Sequence, residues 1–411
     1  MSEWKEYRLG DILSIKSGFS YKGKFIGSGE SLLLGMGCVS FKEKFLMSGA
    51  RPYSGPYDKR YQVYPGDIVL ATRQQSDNLP ILAMPAMIPK SLEGKDIVIG
   101  TNLYKVEIAD KSFPNDYIFW LLKTRRYVNY IAGVKTGTTV SMVTKKNVED
   151  FTFFAPINPE ERKEIASAIV SLDDKIAVNR RICENLEAQA QALFKHWFID
   201  FAPFKDGKFV ESELGMIPEG WKVGKLEDLC IKVGSGGTPK SSNKNYYQGV
   251  IPWFGTGEFN DSFLFDSEKH ITKEAIDNSS ARLYPMHTIL IAMYGATVGK
   301  LSIISVDATF NQAALALVAH DYIGYPYVFL SLLNCRKALI NLACGAAQQN
   351  LNAGNIKSFK SIIPNKKVMG DFNDIILPLF ELIEEFCKEN LRLSTLRDTL
   401  LPKLMSGQIK V

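Results

Sequence analysis

Metal-ligand spacing is scarce in this chain. The six cysteines, at 38, 183, 230, 335, 344 and 387, form no CxxC pair, and there are only four histidines. A zinc framework or disulfide scaffold is therefore excluded as the device that holds the fold, no metal is expected, and the cysteine usage suits a reducing cytoplasm. No stretch of eighteen apolar residues occurs, so neither a transmembrane helix nor a membrane partner is expected. The opening MSEWKEYRLGDI has no apolar core and does not read as a secretion signal.

Strings that carry nucleotide or cofactor chemistry are missing too. A P-loop needs GxxxxGK[ST], whose glycine-rich turn cradles phosphate. GATVGKL (295–301) is one residue short and has Leu301 where a hydroxyl is needed. GSGGTPKS (234–241) has Pro239 where glycine belongs. An adenine methyltransferase needs a glycine-rich cofactor turn and an N/D-P-P-Y/F loop. The nearest string, Asn158-Pro159-Glu160, lacks the second proline and the aromatic. His196, beside Trp197, reads as packed or solvated rather than catalytic. No catalytic residue and no cofactor are expected.

What is present is a chain of 411 residues with 46% hydrophobic content and a net charge of +5. That length suits two to four domains, each able to bury a core. The charge permits a nucleic-acid partner without demanding one.

The chain is written twice. WKEYRLGDI begins at Trp4 and WKVGKLEDL at Trp221. YPGDIVLATR begins at Tyr64 and YPMHTILIAMYG at Tyr284. Gly137, Asn147 and Pro156 match Gly345, Asn355 and Pro364 at one constant spacing. An ordered series of landmarks marks an internal repeat, and repeats decide the fold before any other signal. Within each half, β-branched runs such as DIVLAT (67–72), DIVIGT (96–101) and TILIAMY (288–294) predict strands between turns. The stretches 115–133 and 325–344 keep apolar residues at three-to-four spacing and predict helices.

Each half closes on a long glycine-poor heptad pattern. The first runs Ile165, Ile169, Leu172, Ile176, Asn179, Cys183, Leu186, Ala190, Leu193, Trp197; the second runs Phe372, Ile376, Leu379, Ile383, Phe386, Asn390, Leu393, Arg397, Leu400, Leu404. Heptads sustained this far predict a coiled coil. Pro159, followed by Glu160 and Glu161, suits a first turn, and Pro378 is expected to kink or restart the second helix. A duplicated unit folding about a pseudo-twofold axis makes the helices antiparallel, with two globular domains on a rod roughly 48 Å long at 1.5 Å per residue. One turn of B-DNA is about 34 Å. The register expected sets Asn179 against Asn390, Ile165 beside Leu404, Ile176 beside Leu393, Leu186 beside Ile383 and Trp197 beside Phe372. Arg397 then falls beside Leu172 and needs solvent or an acid. The aromatic string HWFIDFAPF (196–204) is expected to pack the rod end against a globular domain.

These features resemble type I restriction specificity subunits: the repeated halves, the WKxxxL starts, YPGDIVLA, NRRICENLEAQAQALFKHWFIDF (179–201) and LSTLRDTLLPKLMSGQI (393–409). The resemblance covers nearly the whole chain. It implies an α+β protein with two mixed α/β target-recognition domains (1–157 and 201–365), joined by two spacer helices (158–200 and 366–411) in an antiparallel coiled coil. It also implies a bipartite double-stranded DNA target, two methyltransferase subunits docked on the helices, and a motor-nuclease restriction subunit. Two other readings stay open: a fused restriction-methylation enzyme, against which the missing motifs speak, and a two-domain protein-binding scaffold.

Under the DNA reading, polar loops after strands are the contact candidates, since Arg pairs with guanine and Gln or Asn with adenine. In the first half these are Arg73, Gln74 and Gln75, then Lys135, Thr138, Thr139, Lys145 and Lys146. In the second half they are Thr238 and Lys240, Tyr294 and Lys300, and Gln348, Gln349 and Asn352. The lysines read as phosphate contacts. The plain alternative is that these are solvated turns capping the next strand. On the second helix Ile375, Leu382, Leu396, Phe380 and Leu401 flank the seam and widen the apolar face. They face either methyltransferase helices or the protein's own recognition domains.

Overall fold

The computed structural model describes residues 3–41, 43–74, 81–137, 139–342 and 350–411. Its compact units are Met1–Ile176 with Arg392–Val411, and Ala177–Leu391. Two helices of 40 residues, Pro159–Phe198 and Lys366–Met405, each run through both units.

Both helices start by the same device. Asn158 Oδ1 accepts the backbone N–H of Glu160 at 3.0 Å, and Asn365 Oδ1 accepts that of Val368 at 3.0 Å. A side-chain oxygen thus satisfies an N–H that the first turn leaves without an intrahelical partner. Contrary to expectation, Pro378 does not divide the second helix. A proline inside a helix costs about 3 kcal/mol. Burial of Phe372, Ile376, Phe380 and Ile383 on either side offsets it, each such side chain contributing about 1.5–3 kcal/mol.

The helices run antiparallel within each unit. In the second unit Trp197 meets Phe372 with ring centroids 5.7 Å apart, and further along Asn179 reaches Glu389. In the first unit Ile165 and Ile169 share a core with Leu401 and Leu404. The two seam amides do not bond each other. Asn179 Nδ2 donates to Glu389 Oε2 at 2.6 Å, and the Oδ1 atoms of Asn179 and Asn390 are both buried without a hydrogen bond. The neighbouring carboxylate is a stronger acceptor than an amide oxygen, so it draws the donor aside by one residue. Arg397 finds its acid: it donates to Asp173 at 2.7 Å and to Asp398 at 2.9 Å.

The remaining chain of each unit repeats one topology. In the first unit an antiparallel sheet runs Leu13–Ser17, Leu103–Ile108, Ile68–Ala71, Pro85–Met87. In the second, Cys230–Ser235, Ala314–Ala319, Ile289–Ala292 and Leu301–Ile304 pair antiparallel in that order, and Phe263–Leu264 adds in parallel to Leu301–Ile304. A second sheet pairs Ile26–Leu34 with Ile97–Ile99 in parallel, and its counterpart pairs Ile251–Phe254 with Thr309–Phe310 in parallel. Trp4–Arg8 lies antiparallel to Thr152–Pro156, as Lys222–Lys225 does to Lys360–Ile363. The apolar runs expected as strands form buried strands at Ile68–Ala71, Ile97–Ile99 and Ile289–Ala292.

The helix expected over 115–133 is two helices, Asn115–Leu121 and Arg125–Val134. Thr124 starts the second by accepting the Tyr127 N–H, a local capping signal that competes with continuing the first helix. In the second unit the matching segment is one helix, Tyr325–Leu342. Trp197, Phe198, Phe201 and Phe204 of the aromatic string pack with Trp221 and Phe372. Phe201, at φ 50, turns the chain out of the helix.

Candidate nucleic-acid interface

Backbone hydrogen bonds draw the candidate loops of each unit together. In the first unit Val143 N–H donates to Thr72 O at 3.3 Å, just past the end of strand Ile68–Ala71. Arg73–Gln74 then pairs antiparallel with Ser141–Met142. Thr136 and Met142 exchange hydrogen bonds of 3.0 and 2.8 Å. Gly137, at φ +93, suits this approach, since a Cβ there would lie 2.2 Å from Val140 O.

The ribbon sorts the candidates. Arg73 is exposed, and its charge offsets in part the burial that pushes the Tyr104 hydroxyl up. Gln74 is buried at 6% exposure, and its Oε1 accepts the Leu82 N–H at 3.1 Å. It is a structural amide holding the returning chain, not a base reader, because alternate residues of a strand face opposite sides. Thr139 and Lys146 are exposed, and Lys135 and Lys145 half-buried. Lys145 and Lys146 open the short helix Lys145–Glu149, capped by Thr144. Cations at a helix start gain nothing from its dipole, so the helix itself does not reward them. Gln75, Thr138, Gln348 and Gln349 lie outside the described residues.

The second unit repeats the arrangement with other side chains. Leu351 N–H donates to Met293 O at 2.8 Å, the counterpart of the Val143–Thr72 bond. Gly236 N–H donates to Ala314 O at 3.2 Å and Gly237 N–H to Phe310 O at 2.9 Å, bringing loop 235–240 alongside. Thr238, Lys240 and Lys300 are exposed, and Tyr294 keeps 41% of its surface. Asn352 is exposed, but its Oδ1 accepts the N–H groups of Gly354 and Asn355, capping Ala353–Lys357. That carbonyl is occupied, so Asn352 cannot offer adenine the paired amide contact expected of it.

Strand pairing also exposes residues that sequence reading passed over. The turn at Thr101 and the turn at Gln312 are counterparts: Gly100 N–H donates to Leu34 O and Asn311 N–H to Phe254 O, both at 3.0 Å. Ser20 and Thr238 are counterparts in the same way, each following a pair of N–H groups bonded across to the matching strand. Ser20, Thr101 and Gln312 are all exposed. The repeat held the signal, had strands 100–108 and 311–319 been aligned.

Of the flanking apolar residues on the second helix, Ile375, Leu382 and Leu396 are 46%, 44% and 46% exposed. Phe380 and Leu401 are buried at 4% and 6%. Phe380 packs against Phe263, Tyr325 and Phe329, and Leu401 joins the core of the first unit. Each belongs to its own unit's core and cannot present its side chain to a partner. Among the described residues, no His, Cys, Asp or Glu group is arranged to hold a metal ion, and no helix is long and apolar enough to cross a membrane.

The profile of the type I restriction modification DNA specificity domain matches residues 1–188 and again 218–384. The chain is similar to the HindI specificity subunit of Haemophilus influenzae, at 27% identity across the full length of both. It is 28% identical to the MjaIX specificity subunit of Methanocaldococcus jannaschii, over 72% of this chain and 69% of the relative. The fold is similar to the S subunit of a type I restriction-modification system from M. genitalium, with a TM-score of 0.61 at 16% identity, covering 98% of this chain and 96% of that one. The two matched segments together span well over half of the sequence, and the chain belongs to the type I restriction modification DNA specificity family.

Proposed function

We propose that this chain is the cytoplasmic reading subunit of a type I restriction-modification complex and carries out no chemistry itself. Residues 1–157 and 201–365 act as target-recognition domains, each reading one part of a bipartite, asymmetric double-stranded DNA target. Residues 158–200 and 366–411 act as spacer helices. The observation that carries this reading is the repeated loop cluster, in which one backbone arrangement presents different polar side chains at matched positions, Thr101 against Gln312 among them. A scaffold shared by two readers of different bases needs that combination, because backbone and phosphate contacts set position while side chains at base edges set sequence. Arg73 is assigned a guanine contact. Lys135, Lys145, Lys146, Lys240 and Lys300 are assigned phosphates, with Thr139 and Tyr294 beside them; Thr238 and Thr138 are assigned to the same DNA-facing loops, and Gln75, Gln348 and Gln349 to base edges. Ile375, Leu382 and Leu396 are assigned to docking two methyltransferase subunits, which a restriction subunit joins.

Modified-base sequencing of DNA from cells expressing the chain with its methyltransferase partner tests the reading. A two-part asymmetric methylated target is the expected result; a continuous block, a perfect palindrome or no modification overturns it. Inserting one heptad, seven residues, into both long helices is expected to lengthen the spacer and leave the outer bases unchanged. The isolated chain is expected to show neither methyl transfer nor cleavage, and robust methyl transfer by it alone sinks the proposal.

A further inference from the structure

Gln312 occupies a turn whose every other residue is tied down. Asn311 N–H donates to Phe254 O at 3.0 Å, Ala313 N–H to Asn311 Oδ1 at 3.1 Å, and Ala314 N–H to Asn311 O at 3.2 Å. Ala313 O in turn accepts the Met293 N–H at 2.8 Å. The turn joins strands Thr309–Phe310 and Ala314–Ala319 and lies between loop 235–240 and the end of strand Ile289–Ala292. At its tip the Gln312 side chain is exposed. One partner orients it: the Thr238 hydroxyl donates to Gln312 Oε1. A long flexible amide on a surface ordinarily samples many rotamers, which costs free energy when it binds. Here the backbone is pinned and the carboxamide is turned by a neighbour before any ligand arrives.

We infer that Gln312, positioned by Thr238, reads an adenine in the part of the DNA target contacted by residues 201–365. This rests on the DNA-reading function proposed above. The chemistry is specific. A carbonyl oxygen has two lone pairs. Thr238 takes one on Oε1, leaving the other to accept the adenine N6–H while Nε2 donates to N7. The matched turn of the first unit is built by the same backbone bonds but carries Thr101, with Ser20 in the place of Thr238. A threonine hydroxyl makes no bidentate amide contact, so the two units read different bases from one frame.

The test is selection from a random duplex library by the full-length chain co-purified with its methyltransferase partner, followed by sequencing. Wild type is expected to enrich a bipartite target with an adenine in one part. Gln312→Ala is expected to relax that position by about ten- to a hundredfold and leave the other part untouched. Gln312→Glu is expected to shift it toward cytosine, whose N4 donates. Thr238→Val is expected to relax the same position more weakly, and Thr238→Ser to restore it. If wild type enriches a bipartite target and Gln312→Ala enriches the identical one, or if the affected base is not adenine, the assignment is overturned while the DNA-reading function stands. If wild type enriches no sequence, the function itself fails.

Discussion

At one matched position the first long helix carries Arg162 and the second carries Met369, and both are buried, at 3% and 0% exposure. Arg162 directs its donors to Pro156 O, Ile157 O, the carbonyl and hydroxyl of Ser112, and the Tyr7 hydroxyl, and it lies 3.8 Å from the Phe113 ring centroid. Met369 sits in an apolar core instead. The contrast extends along both helices. The first unit surrounds Trp120 with Lys44, Lys123 and Arg397, and Asp173 pairs with both Arg397 and Lys44. The second unit gathers Phe372 against Trp197, Phe198 and Tyr327, and Phe380 against Phe263, Tyr325 and Phe329. One topology is thus held to its helices by cations in one half and by edge-to-face and tilted rings in the other. A buried cation whose donors are all met is about as good as a well-packed apolar group, but removing one partner is expensive. The two halves were free to diverge in chemistry so long as each stayed satisfied.

Variants that delete one side of each arrangement break this symmetry of outcome. The largest effect is expected from Phe372→Ala, which opens a cavity among three rings and destabilises the second unit by about 3–5 kcal/mol. Chemical denaturation followed by tryptophan fluorescence measures it; a loss below about 1 kcal/mol would mean the rings repack freely. Arg162→Met, which copies the second half's solution into the first, is expected to cost about 3 kcal/mol rather than be neutral. The carbonyls of Pro156 and Ile157 and the Ser112 hydroxyl would lose their donor. Neutral behaviour would show that the polar partners relax without it.

Asp173→Asn is expected to cost about 2 kcal/mol, since Arg397 keeps Asp398 while Lys44 keeps Asp174. A smaller effect separates the halves by pH. Burial alone would push the Glu384 carboxyl up, but the His287 hydrogen bond at 3.0 Å pulls it the other way, and the group sits below its ordinary value of 4.5. A carboxyl depressed in the folded state stabilises above its unfolded value, and that contribution is lost as pH falls through the folded one. Unfolding at pH 3 against pH 6 is expected to lose less stability in Glu384→Gln than in wild type; equal losses would remove the pair from the account. The smallest change in stability, within about 0.5 kcal/mol, is expected for Leu382→Asp and Leu396→Asp. These should instead weaken co-purification with the methyltransferase subunit, and unchanged assembly argues against the docking face.

Much of the architecture is legible in the order of the residues alone. Duplication shows in Gly137, Asn147 and Pro156 against Gly345, Asn355 and Pro364, because a repeat is a property of the linear chain. The long helices are legible from heptads and caps, which act over one or two turns, and Trp197 meets Phe372 as that pattern required. Pro378 misled because its penalty is local while the burial that offsets it comes from residues distant in sequence, such as Phe263 and Phe329.

The candidate interface divides along the same line. Which residue types could touch DNA follows from their donors and acceptors, and Arg73, Thr238 and Lys240 are exposed as that chemistry needs. Gln74 and Asn352 carry the same amide and do something else, one holding Leu82 and the other capping a helix. Amide chemistry is identical facing water or backbone, and only strand pairing and burial decide which it faces. Ser20, Thr101 and Gln312 belong to no motif, and they become a matched set only when strands far apart in sequence are paired. The repeat, the two helices and the inventory of polar side chains follow from periodicity and residue chemistry alone. Tertiary structure decided which of those side chains remain exposed and which partners orient them, because both depend on groups brought together from distant parts of the chain.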